Sequence, residues 1–345
     1  MAQVYFLIPG LIAGPEAKNK ISAASLERIK KTLGRLTDDP VAQPLGTPAF
    51  AKSVHLSWLW SVLTRRALPF TTAPYAWAVQ NGPMLSGDIS AIELCVRNAD
   101  GSLNRAELTR DETEAACAAL TPVLLEKGFV LQRWDPHLYL TRKQHFKAAA
   151  APFEIVRTQA GNACDWIEGD DRPAALELLS ACEHALAAIA SPVQTVWISG
   201  GGGAFDYVYP PTKIRSVLTD NEAVKGWALA AGILLQRIGR IGGAQNWIED
   251  APQGECIALI EDLYEPWLTR DWSRWEQAVP DVCDRIDALS AAAKKTKGCD
   301  TALIVGTGEG FAVSCTKHLS SARSLLARFT GTEVDPASIL FAEIS

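Results

Sequence analysis

Short apolar runs alternate with helical stripes along the chain, and the alternation sets the expected elements. Residues 4–8, Val-Tyr-Phe-Leu-Ile, are stopped by Pro9-Gly10, the pattern of a strand buried on both faces of a parallel sheet. Residues 22–36 carry Leu26, Ile29, Leu33 and Leu36 on one helical face. Residues 89–96 read as a strand, Asn98-Ala99-Asp100-Gly101 as a turn, and 103–108 as the hairpin partner. Thr109-Arg110-Asp111-Glu112 has the form of a capping box and opens a helix to Lys127, with Gly128 past its end. Residues 129–133 and 137–142 are two further strands. Asp170 or Asp171 caps the next helix, Pro173 sits in its first turn, and Leu178, Cys182, Leu186 and Ile189 repeat along it before Ser191-Pro192. Residues 194–199 form a buried strand that runs into four glycines. Thr219-Asp220-Asn221-Glu222 is a second capping box, opening a helix to about Leu235. Strands at 258–263 and 301–305 are joined by a helix over 281–295, with Gly298 beyond it.

Strands separated by helices predict an α/β protein with a parallel, doubly wound sheet. The expected core comprises residues 1–85 and 190–345. The order strand, strand, helix, strand, strand predicts an inserted α+β module over 86–150, and 151–189 reads as linker and helix. No internal repeat is evident.

Composition narrows the class. In 345 residues, 48% are apolar and 21% are charged with mixed sign, which suits a large buried core. The net charge of −6 comes with no basic face, and Lys294, Lys295 and Lys297 fit the last turn of a helix, so no nucleic-acid partner is expected. The eight cysteines form no Cys-x-x-Cys pair, and several sit in apolar patterns as buried thiols. The start of the chain lacks a charged leader, and no stretch approaches the roughly 18 apolar residues of a membrane span. A soluble, cytoplasmic protein is expected, with no membrane partner.

Two glycine-rich strand ends are the sharpest local features. Ser199-Gly200-Gly201-Gly202-Gly203 lets a ligand approach the backbone, or serves tight geometry alone. It is neither a Walker loop nor a dinucleotide fingerprint. Gly306-Thr307-Gly308-Glu309-Gly310 follows the strand at 301–305, and the two loops are expected to open on one edge of one sheet. Histidine occurs at 55, 137, 145, 184 and 318, without His-x-x-x-His or Asp-x-x-x-His spacing. Glu183-His184 reads as a surface pair, and Asp135-Pro136-His137 as a turn. Gly-x-Ser-x-Gly is absent, and nothing selects a nucleophile among Ser53, Ser57, Thr71 and Thr72. Trp267, Trp272 and Trp275 read as core packing or as an interaction patch.

The segments Leu7-Ile8-Pro9-Gly10-Leu11-Ile12, 133–140, Val196-Trp197-Ile198-Ser199-Gly200-Gly201-Gly202, and 218–232 with Lys225-Gly226 and Ala231-Gly232 resemble the RpfE-type regulatory proteins of bacteria. That family has Trp-Leu-Trp before its glycines, where this chain has Ser199. The family in turn resembles cofactor-independent phosphoglycerate mutases of the alkaline-phosphatase superfamily. The resemblance implies an alkaline-phosphatase-like parallel doubly wound core with a small inserted α+β module. It also implies a Ser nucleophile beside two metals held by Asp and His, but the matching positions depart from that pattern. Pro9-Gly10-Leu11 stands where an Asp ligand is expected, the next Asp is Asp38, and Val305 leads into Gly306-Thr307-Gly308-Glu309 where Asp-His is expected. Two cations activate the nucleophile and neutralise phosphoryl oxygens, so losing their ligands removes the chemistry. The expectation is a non-catalytic regulatory relative with no cofactor and no metal, which takes a small anionic ligand or a regulatory protein partner. Its ligand-binding candidates are Ser199, Gly200, Gly201, Gly202, Gly203, Thr307, Gly308 and Glu309. The competing expectations are a metal-dependent mutase or phosphatase, and a metal-free enzyme using both glycine loops.

Overall fold

The computed structural model describes residues 3–34, 36–44, 50–65, 71–81, 87–134, 137–203, 212–236, 255–295, 299, 301–319, 333–334 and 336–341. Asp135, Pro136, Lys297 and Gly298 lie outside them. Its strands, in chain order, are β1 (Gln3–Pro9), β2 (Leu36–Pro44), β3 (Asp88–Arg97), β4 (Leu103–Arg105), β5 (Phe129–Trp134), β6 (His137–Arg142), β7 (Ala149–Ala150), β8 (Ile167–Glu168), β9 (Thr195–Gly202), β10 (Ile214–Leu218), β11 (Leu234–Gln236), β12 (Glu255–Leu259), β13 (Thr301–Thr307), β14 (Phe311–His318) and β15 (Glu333–Val334). Two units divide the chain: Met1–Thr47, Ala51–Leu68 and Tyr209–Ser345 form the first, and Pro48–Phe50 and Pro69–Val208 the second.

The first unit is built on a mixed sheet in the order β11-β10-β12-β1-β13-β14-β2-β15. The run from β11 to β13 is parallel, and β14, β2 and β15 extend it by antiparallel pairing. β1 lies inside the parallel part, with Phe6 between Ala258 and Ile304. Its Phe6, Leu7 and Ile8 are fully buried, as an apolar run flanked on both sides requires. Helices Ala23–Leu33 and Trp272–Lys295 bury Ile29, Leu33, Val279, Cys283 and Ile286 in the same core. The second helix starts at Trp272, ahead of the expected residue 281, and runs through Pro280. Burial of Trp272, Trp275 and Val279 outweighs the one backbone bond that the proline removes. These tryptophans are therefore core, not an interaction patch.

The expected cap at Thr219 moves two residues. Asn221 caps helix Glu222–Ala230, its side chain accepting from Val224 N, while Thr219 Oγ1 accepts from Asn221 N. The apolar run at 258–263 also divides: β12 ends at Leu259, and Leu263 leads into helix Tyr264–Thr269.

In the second unit β3 is the spine of an antiparallel sheet. β6 and β4 pair with its two halves along one side, β5 extends β6, and β9 pairs along the other side. β9 thus lies outside the parallel core where the sequence placed it. A strand covered on both faces has the same apolar run in either kind of sheet, so the pattern alone does not separate them. Trp197 on β9 is buried, and its indole N–H donates to Ala151 O at 2.8 Å. Residues 151–189 are likewise part of this unit: helix Phe153–Val156, the β7–β8 pair and helix Arg172–Ala187, which buries Leu178, Cys182 and Leu186. The capping box of helix Arg110–Glu126 is fully formed, with Thr109 Oγ1 accepting from Glu112 N at 3.3 Å and Glu112 accepting from Thr109 N at 2.7 Å. Among the described residues no helix is long and apolar enough to cross a membrane.

Candidate functional site

The carboxyl ends of parallel strands are where α/β sheets open toward ligands. At the ends of β1 and β13 the backbone is pinned. Gly10 N and Ile12 N both donate to Thr307 O, at 3.2 and 3.4 Å, and Trp275 Nε1 donates to Gly10 O at 2.9 Å. Leu11, Ile12 and Ala13 are buried as the chain leaves β1. Opposite them, Gly308 N donates to Phe311 O at 3.0 Å and closes the turn into β14.

These two segments border a cavity of about 360 Å³ whose wall includes Glu16, Lys52, Trp267, Arg270, Glu309 and Phe311. Lys52 precedes Ser53, the N-cap residue of helix Val54–Thr64. Arg270 ends helix Tyr264–Thr269 in the left-handed region, at φ 56°. The Lys52 amine is half-buried, and burial lowers its pKa from the ordinary lysine value; Glu309 holds it up, and the Arg270 guanidinium adds to the lowering. Among the described residues, none of the four charged side chains at this cavity makes a hydrogen bond or an ion pair. Two cations and two carboxylates therefore stand around one hollow without neutralising each other by contact.

Of the sequence candidates, Gly308 and Glu309 line this cavity, and Thr307 is buried behind it as the acceptor just described. The other loop has a different use. Gly200 has φ +65°, and a Cβ there would come within 2.1 Å of Thr72 Oγ1; at Gly202 it would come within 2.2 Å of Thr71 Cγ2. Thr72 N donates to Gly200 O at 3.0 Å. The glycines let β9 press against residues 71–73, which leaves Gly200, Gly201 and Gly202 as one wall of a separate cavity of about 260 Å³ in the second unit. Ser199 pairs with Ala91, and Gly203 is buried just past the strand. The two glycine loops belong to different sheets, so they do not open on one edge.

Lys52, Arg270 and Glu16 were not legible as site residues. Their positions follow from strand order, and neither β2 nor β10 announces itself in the sequence. A second polar group also emerged only in three dimensions. His55 is 1% exposed, with Nε2 3.5 Å from Glu261 Oε1 and its ring edge-on to Tyr264 at 4.5 Å; Glu261 accepts from Asn221 Nδ2 at 3.0 Å. Ser53 and Ser57 are buried on the same segment, and Ser57 Oγ donates to Ser53 O at 3.4 Å.

Among the described residues no three His, Cys, Asp or Glu side chains gather to hold a metal ion. The donors around the ends of β1 and β13 do not fit a two-metal centre.

No family model and no curated protein matches the chain. Among solved structures, a cofactor-independent phosphoglycerate mutase from Thermoplasma acidophilum DSM 1728 aligns over 99% of this chain and 96% of its own, with 10% identity and a TM-score of 0.41. The PH0037 protein from Pyrococcus horikoshii aligns over 92% of this chain and 87% of its own, with 12% identity and a TM-score of 0.44.

Proposed function

We propose that this chain is a non-catalytic, RpfE-type regulatory relative of the cofactor-independent phosphoglycerate mutases, with an alkaline-phosphatase-like core, and that it binds a small anionic ligand in the cavity at the ends of β1 and β13. The observation that carries the reading is the presence of Lys52 and Arg270 in the lining of one cavity without a carboxylate in ion-pair contact with either among the described residues. Desolvating a lysine beside a guanidinium is unfavourable in the empty cavity and favourable once an anion enters. Support for the non-catalytic part comes from the residues at the motif positions: Pro9-Gly10-Leu11 and Gly306-Thr307-Gly308-Glu309 supply one acid where a dinuclear site needs several. Eight cysteines, all without disulfides, fit a reducing cytoplasm. A regulator of this kind passes on its ligand state through a protein partner.

The test combines calorimetric titration with 3-phosphoglycerate and a mutase and phosphatase assay in manganese. Binding without turnover is expected, with Lys52→Ala and Arg270→Ala each weakening it by about tenfold or more, the worth of one charged hydrogen bond. Manganese-dependent turnover by the purified chain overturns the non-catalytic reading, and unchanged binding in both variants overturns the site.

A further inference from the structure

We infer that the ligand of this cavity is dipolar, carrying a protonated amine as well as its anionic group, because two carboxylates face the same hollow as the two cations. This deepens the anion-binding reading and rests on it.

A site built for an anion alone gains nothing from acids on its wall, since each one repels the ligand. Here Glu309 follows Gly308 directly on the turn out of β13, and Glu16 lies beyond Gly14 on the segment leaving β1. The Glu16 carboxylate folds back over Gly14: a Cβ on that glycine would come within 2.6 Å of Oε2. Lys52 feels both the Glu309 carboxylate and the Arg270 guanidinium, so charges of both signs act across one small space. None of the four is committed to an ion pair. Had the acids served to neutralise the cations, contact pairs of the kind seen elsewhere in the unit, such as Arg285 with Asp262 at 3.0 Å, would be expected. Trp267 adds an aromatic wall, its ring stacked on Tyr264 with centroids 6.2 Å apart, and an indole face attracts an ammonium group. With no third acid, imidazole or thiolate gathered there among the described residues, the acid pair suits an ammonium better than a divalent cation, which wants six or so oxygen ligands. The fitting class is a small molecule with a phosphate or carboxylate at one end and a primary amine within a few bonds of it.

The experiment compares glycerol 3-phosphate with O-phosphoethanolamine, similar in size and in phosphate but differing in the amine, by calorimetric titration of the full chain. Phosphoethanolamine is expected to bind about tenfold tighter, the worth of one charge-assisted hydrogen bond. Glu309→Gln should then weaken phosphoethanolamine and strengthen glycerol 3-phosphate, because one substitution removes both an amine partner and an anion repeller. Circular dichroism checks that the variant folds, and Glu16→Gln repeats the crossing from the opposite segment if it does not. Equal affinities for the two compounds overturn the dipolar ligand while leaving the anion site standing. Failure of both compounds, and of 3-phosphoglycerate, overturns the two readings together.

Discussion

The two glycine-rich strand ends look alike in sequence and do opposite things. At the end of β9 the missing side chains are spent on close approach, because Thr71, Thr72 and Ser90 occupy the space that side chains at Gly202, Gly200 and Gly201 would need. After β13 the turn is less crowded and opens at its far end. A Cβ on Gly308 would meet Ile12 at 3.1 Å, and one on Gly310 would meet nothing within 4 Å. The first loop is a packing device of an antiparallel sheet, and the second is the lip of a cavity at the carboxyl end of the parallel part of a mixed one. Glycine density locates places where backbone comes close to something; which something depends on the neighbouring strands.

The largest effect that separates the loops is on stability. Gly200→Ala puts a Cβ within 2.1 Å of Thr72 Oγ1 at a positive φ, and overpacking plus left-handed strain should cost about 3 kcal/mol in denaturant unfolding. Gly310→Ala, at φ +81° with open space around it, meets backbone strain alone, partly offset by a stiffer unfolded chain, for about 1 kcal/mol. Equal losses would mean that contact with Thr72 contributes nothing and that the loops differ only in appearance.

Much of the scaffold was readable, for particular physical reasons. β1 and β13 stand out because a strand buried on both faces is a short unbroken apolar run. The helix at 110–126 stands out because Thr109 and Glu112 satisfy each other's backbone groups locally. β9 was readable as a strand but not as a member of its sheet, since Trp197 and Val196 are equally buried in either setting. β2 begins Leu36-Thr37-Asp38-Asp39-Pro40, with no apolar run to mark it. Site residues divided in the same way. Glu309 was found because it sits among glycines. Lys52 and Arg270 are single charges in ordinary contexts, and only the juxtaposition of the segments that follow β1, β2, β12 and β13 brings them to one cavity.

Arg270 sharpens the contrast from the cavity side. It holds φ 56° without being glycine, a conformation that costs of order 1 kcal/mol and is retained where the surroundings or the function require that side chain. Arg270→Gly should leave stability unchanged or raise it by up to roughly 0.5 kcal/mol, since relief of strain exceeds the added freedom of the unfolded chain. The same variant should lose about tenfold in anion affinity. A stability loss above about 1 kcal/mol would make the guanidinium a structural cap and remove it from the proposed site.

The smallest effect is the most specific, because two profiles must move in opposite directions. Burial lowers the Lys52 pKa in the folded chain below the ordinary value of 10.5. Between the lowered value and 10.5 the unfolded chain holds more protons, so stability rises with pH across that window and the cost of the buried ammonium is fully present below it. Anion affinity runs the other way, falling across the same window as the ammonium that holds the ligand is lost. Lys52→Arg keeps the charge at all accessible pH, so it should flatten the decline in affinity with pH while still binding. Measured with 3-phosphoglycerate, which carries no amine to titrate in this window, a decline that persists undiminished in Lys52→Arg is incompatible with Lys52 as the anion's partner.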